Sequence, residues 1–140
     1  MRKIIEQVKE LNLPLGKYVV VGSGALSVHG IREHNDVDLL VLPELYEELV
    51  ARGWENKVMK SGVMHIGPKG KEVEATTSMA VGDMYNPNVE ALIKEAEMID
   101  EVPFLPLDEL VNYKRALGRE KDLNDIKRVK EYHERQASKF

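Results

Sequence analysis

The chain has no cysteine, which removes disulfides and thiolate zinc sites from its chemistry. It has no apolar run near the roughly 20 residues that a membrane-spanning helix needs, so no membrane partner is expected. It also lacks an excess of positive charge. The formal net charge is −4, which disfavours a broad basic surface for nucleic acid and leaves room only for a local patch. Internal repeats and low-complexity stretches are missing. The opening stretch, MRKIIEQVKELNL, alternates charged with apolar residues; it reads as an amphipathic helix rather than an export signal, and a cytoplasmic location is the expectation. His29, His34, His65 and His133 are scattered, with no spacing that suggests a zinc site.

What is present is an ordinary globular balance: 140 residues, 43% hydrophobic and 31% charged. That is enough for one core and one domain. A single unit over 1–140 is expected, with a core over about 1–100 and a closing helical pair over about 106–136.

Periodicity and turn residues give a coarse order of elements. Ile4, Ile5, Val8 and Leu11 fall on one helical face, and the helix breaks at Leu13-Pro14-Leu15-Gly16. The β-branched run at 18–21 predicts a buried strand, stopped by Gly22-Ser23-Gly24. A short helix follows at 25–29, then a second strand at 37–42. Pro43 opens a helix over 44–51 that Gly53 closes. Strands are expected at 54–60 and 63–66, joined at Ser61-Gly62, and a third after the turn at 67–70, over 71–76. Residues 77–88 give no pattern. A helix is expected over 89–96, an extended piece between Pro103 and Pro106, and two helices over 108–117 and 120–136. Leu123, Ile126 and Val129 lie along one side of the last. Trp54 and the methionines are assigned to the core. The sum is an α/β (α+β) sandwich: a mixed sheet flanked by helices, the 18–21 and 37–42 strands adjacent and central, with the helices on one main face.

Asp36 and Asp38 are the first candidates for chemistry. Side chains on a strand alternate, so residues two apart point the same way. Two adjacent carboxylates repel, and each resists burial as an anion. A divalent cation between them relieves both costs, and magnesium favours carboxylate, water and phosphate oxygens. The plain alternative is a pair of solvated acids at the start of a strand. Gly22 and Ser23 add to the first reading. They stand where a strand meets a helix, where free backbone amides suit phosphate oxygens and glycine permits close approach. Ser23 either donates its hydroxyl or caps the helix. The intervening helix is about two turns, too short for a full crossover, which brings the acids near Gly22 and Ser23.

Gly22-Ser23, then Arg32, then Asp36-Val37-Asp38 resembles the signature of the polymerase-β-like nucleotidyltransferase superfamily. The tail from Leu110-Val111-Asn112-Tyr113-Lys114 through Gly118-Arg119-Glu120-Lys121-Asp122 to Asp125-Ile126 is similar to the closing helices of its small bacterial and archaeal members, such as the abortive-infection toxin type and small antibiotic nucleotidyltransferases. The likeness covers 17–42 and 103–130 well and the middle loosely. It implies a nucleotidyltransferase fold and Mg²⁺-dependent transfer of a nucleoside monophosphate from a nucleoside triphosphate to a hydroxyl acceptor, with Mn²⁺ as the alternative ion. Asp36, Asp38 and a third carboxylate, Glu74 or else Glu72, would hold the metal. Gly22, Ser23, Arg32, Lys114, Arg119 and Lys121 would bind the nucleotide phosphates. Arg119 has a second reading, as an anchor for the helix pair. Asp122 and Asp125 share a helix face, and either point to the site or form a structural ion-pair cluster. Arg115, Lys127, Arg128 and Lys130 are assigned to a solvated face. The acceptor, whether a small molecule, tRNA or a protein, is not legible, and a partner protein or a homodimer is left open.

Two rivals stand beside this reading. Gly22-x-Gly24 after a strand is also the opening of a dinucleotide-binding fold, but Ser27 occupies the third glycine position and the acids start the second strand rather than end it. The other rival keeps the fold without turnover: a nucleotide-binding or toxin–antitoxin regulatory module.

Overall fold

The computed structural model describes residues 3–58 and 64–139. Within them, seven strands form one mixed sheet: β1 (Tyr18–Val21), β2 (Val37–Val41), β3 (Glu55–Val58), β4 (Met64–Gly67), β5 (Val73–Thr76), β6 (Glu97–Ile99) and β7 (Val102–Phe104). Among the described residues six helices accompany it: α1 (Ile4–Lys9), α2 (Ser23–Ser27), α3 (Pro43–Ala51), α4 (Val89–Lys94), α5 (Leu107–Leu117) and α6 (Glu120–Ala137). The strand order is β3-β4-β5-β2-β1-β7-β6, so β1 and β2 are neighbours near the middle, as their apolar sequences require. This is the mixed α+β architecture that the order of elements predicts. No described helix is long and apolar enough to cross a membrane.

β1 and β2 run antiparallel, with Val21 opposite Asp38, because α2 is only five residues long and turns the chain back without crossing the sheet. β5 joins β2 in parallel, with Asp38 beside Glu74. β7 joins the other side of β1 in parallel.

The helices occupy both faces of the sheet, not one. Val20, Val37, Leu39 and Val41 meet Ile4 and Val8 of α1 and Leu45 and Leu49 of α3. The alternate residues Val19, Val21 and Leu40 meet Leu26, Leu92, Ile93, Leu110 and Val129, from α2, α4, α5 and α6. Both alternating sets of this strand pair are apolar apart from Asp38, so the sheet must be covered twice, which is the reason. Local signals fix the helix ends: Pro43 opens α3, Asn88 accepts from the Ala91 N–H to cap α4, and Gly118 closes α5 at φ 63°.

Other expectations are corrected. The β6–β7 hairpin was not legible, because its turn places Asp100 and Glu101 at positive φ, where Asn-Gly or Asp-Gly is the usual signal. Leu123 is exposed; α6 buries Asp122, Asp125 and Val129 instead. Met79 is in the core, but Met84 and Met98 are exposed, and Trp54 is only partly buried. Val81 and Tyr85 bridge within the unpatterned stretch. The turn expected at Ser61-Gly62 lies outside the described residues.

Candidate functional site

Asp38 and Glu74 share one face at the middle of the sheet. Asp38 and Glu74 are direct neighbours on β2 and β5, and paired residues of adjacent strands point to the same side. Val37, Leu39, Val73 and Ala75 fill the α1–α3 core, so the alternation turns Asp38 and Glu74 toward the face carrying α5 and α6. Asp36, two residues before Asp38, acts on it electrostatically, as does Glu74. Burial, then the Glu74 charge, then the Asp36 charge push the Asp38 carboxyl up to about 7, against a partial pull downward from Lys114. The Glu74 Oε2 is buried and without a hydrogen-bond partner among the described residues.

Glu72, the alternative third acid, lies elsewhere. It is exposed before β5 begins, and it lines a cleft of about 280 Å³ with Gln7, Glu10, Leu11, Asn35 and Lys71. Its carbonyl accepts from the Val37 N–H at 2.9 Å, just before the β2–β5 pairing begins.

Gly22 closes the other side of the acid group. Its φ is 67°, and a Cβ there would sit 2.6 Å from Asp38 Oδ2. Glycine is therefore required twice, by the backbone and by the carboxylate. Ser23 is the first residue of α2, not its cap. Its Oγ accepts from the Asn35 N–H at 3.2 Å, which fixes the segment leading into Asp36. Among the described residues its own proton has no acceptor and is left to donate. His34 is a structural pin, with Nδ1 2.9 Å from Ser27 Oγ and Nε2 against Gln7.

Three of the four expected phosphate-binding cations already have partners in the protein. Arg32 grips Asp125 with both Nε (2.8 Å) and Nη2 (2.9 Å). Arg119 grips Asp122 with Nε (2.6 Å) and Nη2 (3.2 Å). Lys114, 7% exposed, reaches Asp125 at 3.0 Å and Asp122 at 3.6 Å. Arg128, assigned to the solvated face, also binds Asp125 at 3.0 Å. Burial alone would raise the Asp125 carboxyl, but the hydrogen bonds from Arg32 and Lys114 hold it well below the usual carboxylate range. The ion-pair cluster foreseen for Asp122 and Asp125 thus exists, and it consumes the forks of Arg32 and Arg119. Lys114 is the cation that also faces the acids, through its pull on Asp38. Lys121 is exposed on α6.

Sequence reading passed over two residues here. Tyr113 lies within the field of Asp38. Its hydroxyl is raised by burial, lowered by Arg119, and raised again by Asp122 and Asp38. Its ring packs on Tyr85 at 5.7 Å. Its place one residue before Lys114 was the only signal. His65 on β4 brings Nδ1 to 3.6 Å from Glu74 Oε2. Only the strand pairing, with Ile66 opposite Ala75, reveals that meeting.

Among the described residues, no three His, Asp or Glu side chains are drawn around a common point as in a formed metal site. The donors nevertheless suit a hard divalent cation: carboxylate oxygens on one face, one of them buried and unpartnered, and one carboxyl that resists ionising without a counter-charge.

No family model matches the chain, and no curated protein matches it. Among solved structures it is similar to the solution structure of the antibiotic-resistance factor ANT(2'')-Ia, at 16% identity and a TM-score of 0.36, over 97% of this chain and 90% of that one. An overlay that loose carries no chemistry from one chain to the other.

Proposed function

We propose that the chain, as one nucleotidyltransferase-like unit, transfers a nucleoside monophosphate from a nucleoside triphosphate to a hydroxyl acceptor. The observation that carries this reading is the pairing of Asp38 with Glu74 on adjacent central strands, with Val21 opposite Asp38 and Gly22 cleared of side chain beside it. Asp36, Asp38 and Glu74 would hold Mg²⁺, or Mn²⁺ in its place. The bound ion would neutralise the triphosphate and acidify the attacking hydroxyl. Gly22 leaves room for a phosphate against the backbone, and the Ser23 hydroxyl is free to donate to it. The Lys114 ammonium, held by Asp122 and Asp125, supplies a fixed positive charge beside the acids. Arg32 and Arg119 act through those aspartates, orienting Lys114 instead of touching phosphate themselves. Fixed charges of this kind are the main means of stabilising phosphoryl-type transfer.

A second reading is favoured by one observation. Arg32 and Arg119 have their forks engaged on Asp125 and Asp122, which leaves few free cations for a triphosphate. A nucleotide-binding or regulatory module, paired with a partner protein or a second copy as in toxin–antitoxin systems, would need fewer. Calorimetry with Mg²⁺ and each nucleoside triphosphate tests the binding that both readings share. Asp36→Asn combined with Asp38→Asn should abolish it, and unchanged binding would remove the site from both. Incorporation of labelled nucleotide into tRNA, protein or small hydroxyl compounds then separates turnover from binding alone.

A further inference from the structure

β4 adds a group to the acid face that three carboxylates do not account for. Ile66 pairs with Ala75 and shares its core, so His65 and Glu74, one residue away on each strand, turn together to the opposite side. Their polar atoms meet there. His65 Nδ1 and Glu74 Oε2 stand 3.6 Å apart, with the side chains 19% and 13% exposed. Both atoms are buried, and neither has a hydrogen-bond partner among the described residues. The gap is too long for a hydrogen bond. It is shorter than the roughly 4.2 Å sum of two ordinary metal–ligand bonds to nitrogen and oxygen, so one ion can touch both atoms at a bent angle. An unpartnered buried polar atom is costly, and two facing each other are costly together. A cation satisfies both at once, and the neighbouring carboxylates Asp38 and Asp36 supply the charge to keep it.

We infer that His65 is a nitrogen ligand on the acid face, joined with Glu74, and that it turns the site from magnesium toward a first-row transition ion such as Mn²⁺. This rests on the metal-holding role proposed for Asp36, Asp38 and Glu74. The chemical reason is ligand type. Magnesium takes oxygen donors almost exclusively and keeps its waters, whereas an imidazole nitrogen adds affinity for the transition series.

The test uses the intact chain titrated separately with MnCl₂ and MgCl₂, and pulsed electron paramagnetic resonance of the Mn²⁺-loaded protein. The wild type should bind Mn²⁺ about tenfold or more tighter than Mg²⁺. His65→Ala and the bulkier His65→Gln should lower Mn²⁺ affinity by about tenfold, in the range seen for altered metal surroundings, and leave Mg²⁺ affinity nearly unchanged. The resonance should show coupling to one imidazole nitrogen that both variants lose. Absence of that coupling in the wild type overturns the inference without any variant. Equal weakening of both metals also overturns it, because His65 would then only orient Glu74. If neither metal binds the wild type, this inference and the proposed function fall together. If Asp36→Asn with Asp38→Asn leaves Mn²⁺ affinity and the nitrogen coupling intact, the three-acid reading falls while the His65–Glu74 site stands.

Discussion

At the scale of single residues, Asp38 sets the electrostatic character of the site. Its folded pKa of about 7 lies above the roughly 3.9 of an unfolded aspartate. Below about pH 4 both states are protonated and Asp38 costs nothing. As pH rises from 4 to 7 the unfolded chain releases the proton first, so stability falls through that window and the full cost is present above it. Asp38→Asn should therefore raise the melting temperature of the metal-free protein at pH 8. The gain should be on the order of 2 kcal/mol and should vanish near pH 4. Thermal melts of both proteins across that range check it; a constant offset at all pH values would contradict the assignment. Gly22 allows a second expectation. Alanine there meets both an unfavourable positive φ and the Asp38 carboxylate at 2.6 Å. Gly22→Ala should cost about 2–3 kcal/mol, measured by denaturant unfolding, and should weaken Mg²⁺–nucleotide binding by displacing Asp38.

At the scale of elements, α5 and α6 are fastened to the front of the sheet by charge as much as by apolar contact. Leu110 and Val129 bury fully, but α6 also presents Asp122 and Asp125, both essentially without solvent contact. Arg32 comes from the loop between α2 and β2, so its two bonds to Asp125 tie that loop to the last helix. Removing one partner of such a cluster strands the others. Asp125→Ala leaves Arg32 without its carboxylate and Lys114 with Asp122 alone, and should cost about 3 kcal/mol, visible as a lower urea midpoint. Asp125 also has a pH signature opposite to that of Asp38. Its folded pKa is depressed, so its contribution is fully present above the unfolded value near 4 and is lost as pH falls below it. Arg32→Lys should retain only part of the cluster's contribution, because an ammonium cannot grip both carboxylate oxygens at once.

At the scale of the whole molecule, one sheet face holds two groups of opposite function. Carboxylates near the β2–β5 seam are left short of positive partners, while those on α6 are saturated with them. A ligand that binds the folded state alone stabilises it by mass action, about 2.7 kcal/mol at a hundred times its dissociation constant. Mg²⁺ with a nucleoside triphosphate should therefore raise the melting temperature of the wild type, whereas Asp36→Asn with Asp38→Asn should melt at one temperature with or without them. A shift that persists in the double variant would place the nucleotide elsewhere on the protein.

Local chemistry in the sequence determined much of this. The β-branched run at 18–21, the Gly22-Ser23 break and the two-residue spacing of Asp36 and Asp38 were enough to bring β1, α2 and β2 together and to put Asp36 within the field of Asp38, because alternation and turn preference act over a few residues. The long closing helices were legible for the same reason. Tertiary structure alone decided the rest, and each case is a contact between segments far apart in the chain. Glu74 stands beside Asp38 while Glu72 does not, because strand pairing begins at Val73. Arg32 and Arg119 hold aspartates, because α6 is pressed against the sheet with its acidic side inward. His65 meets Glu74 only through the register of β4 on β5. A periodic pattern states which face a residue takes; the partner that waits on that face is fixed by packing.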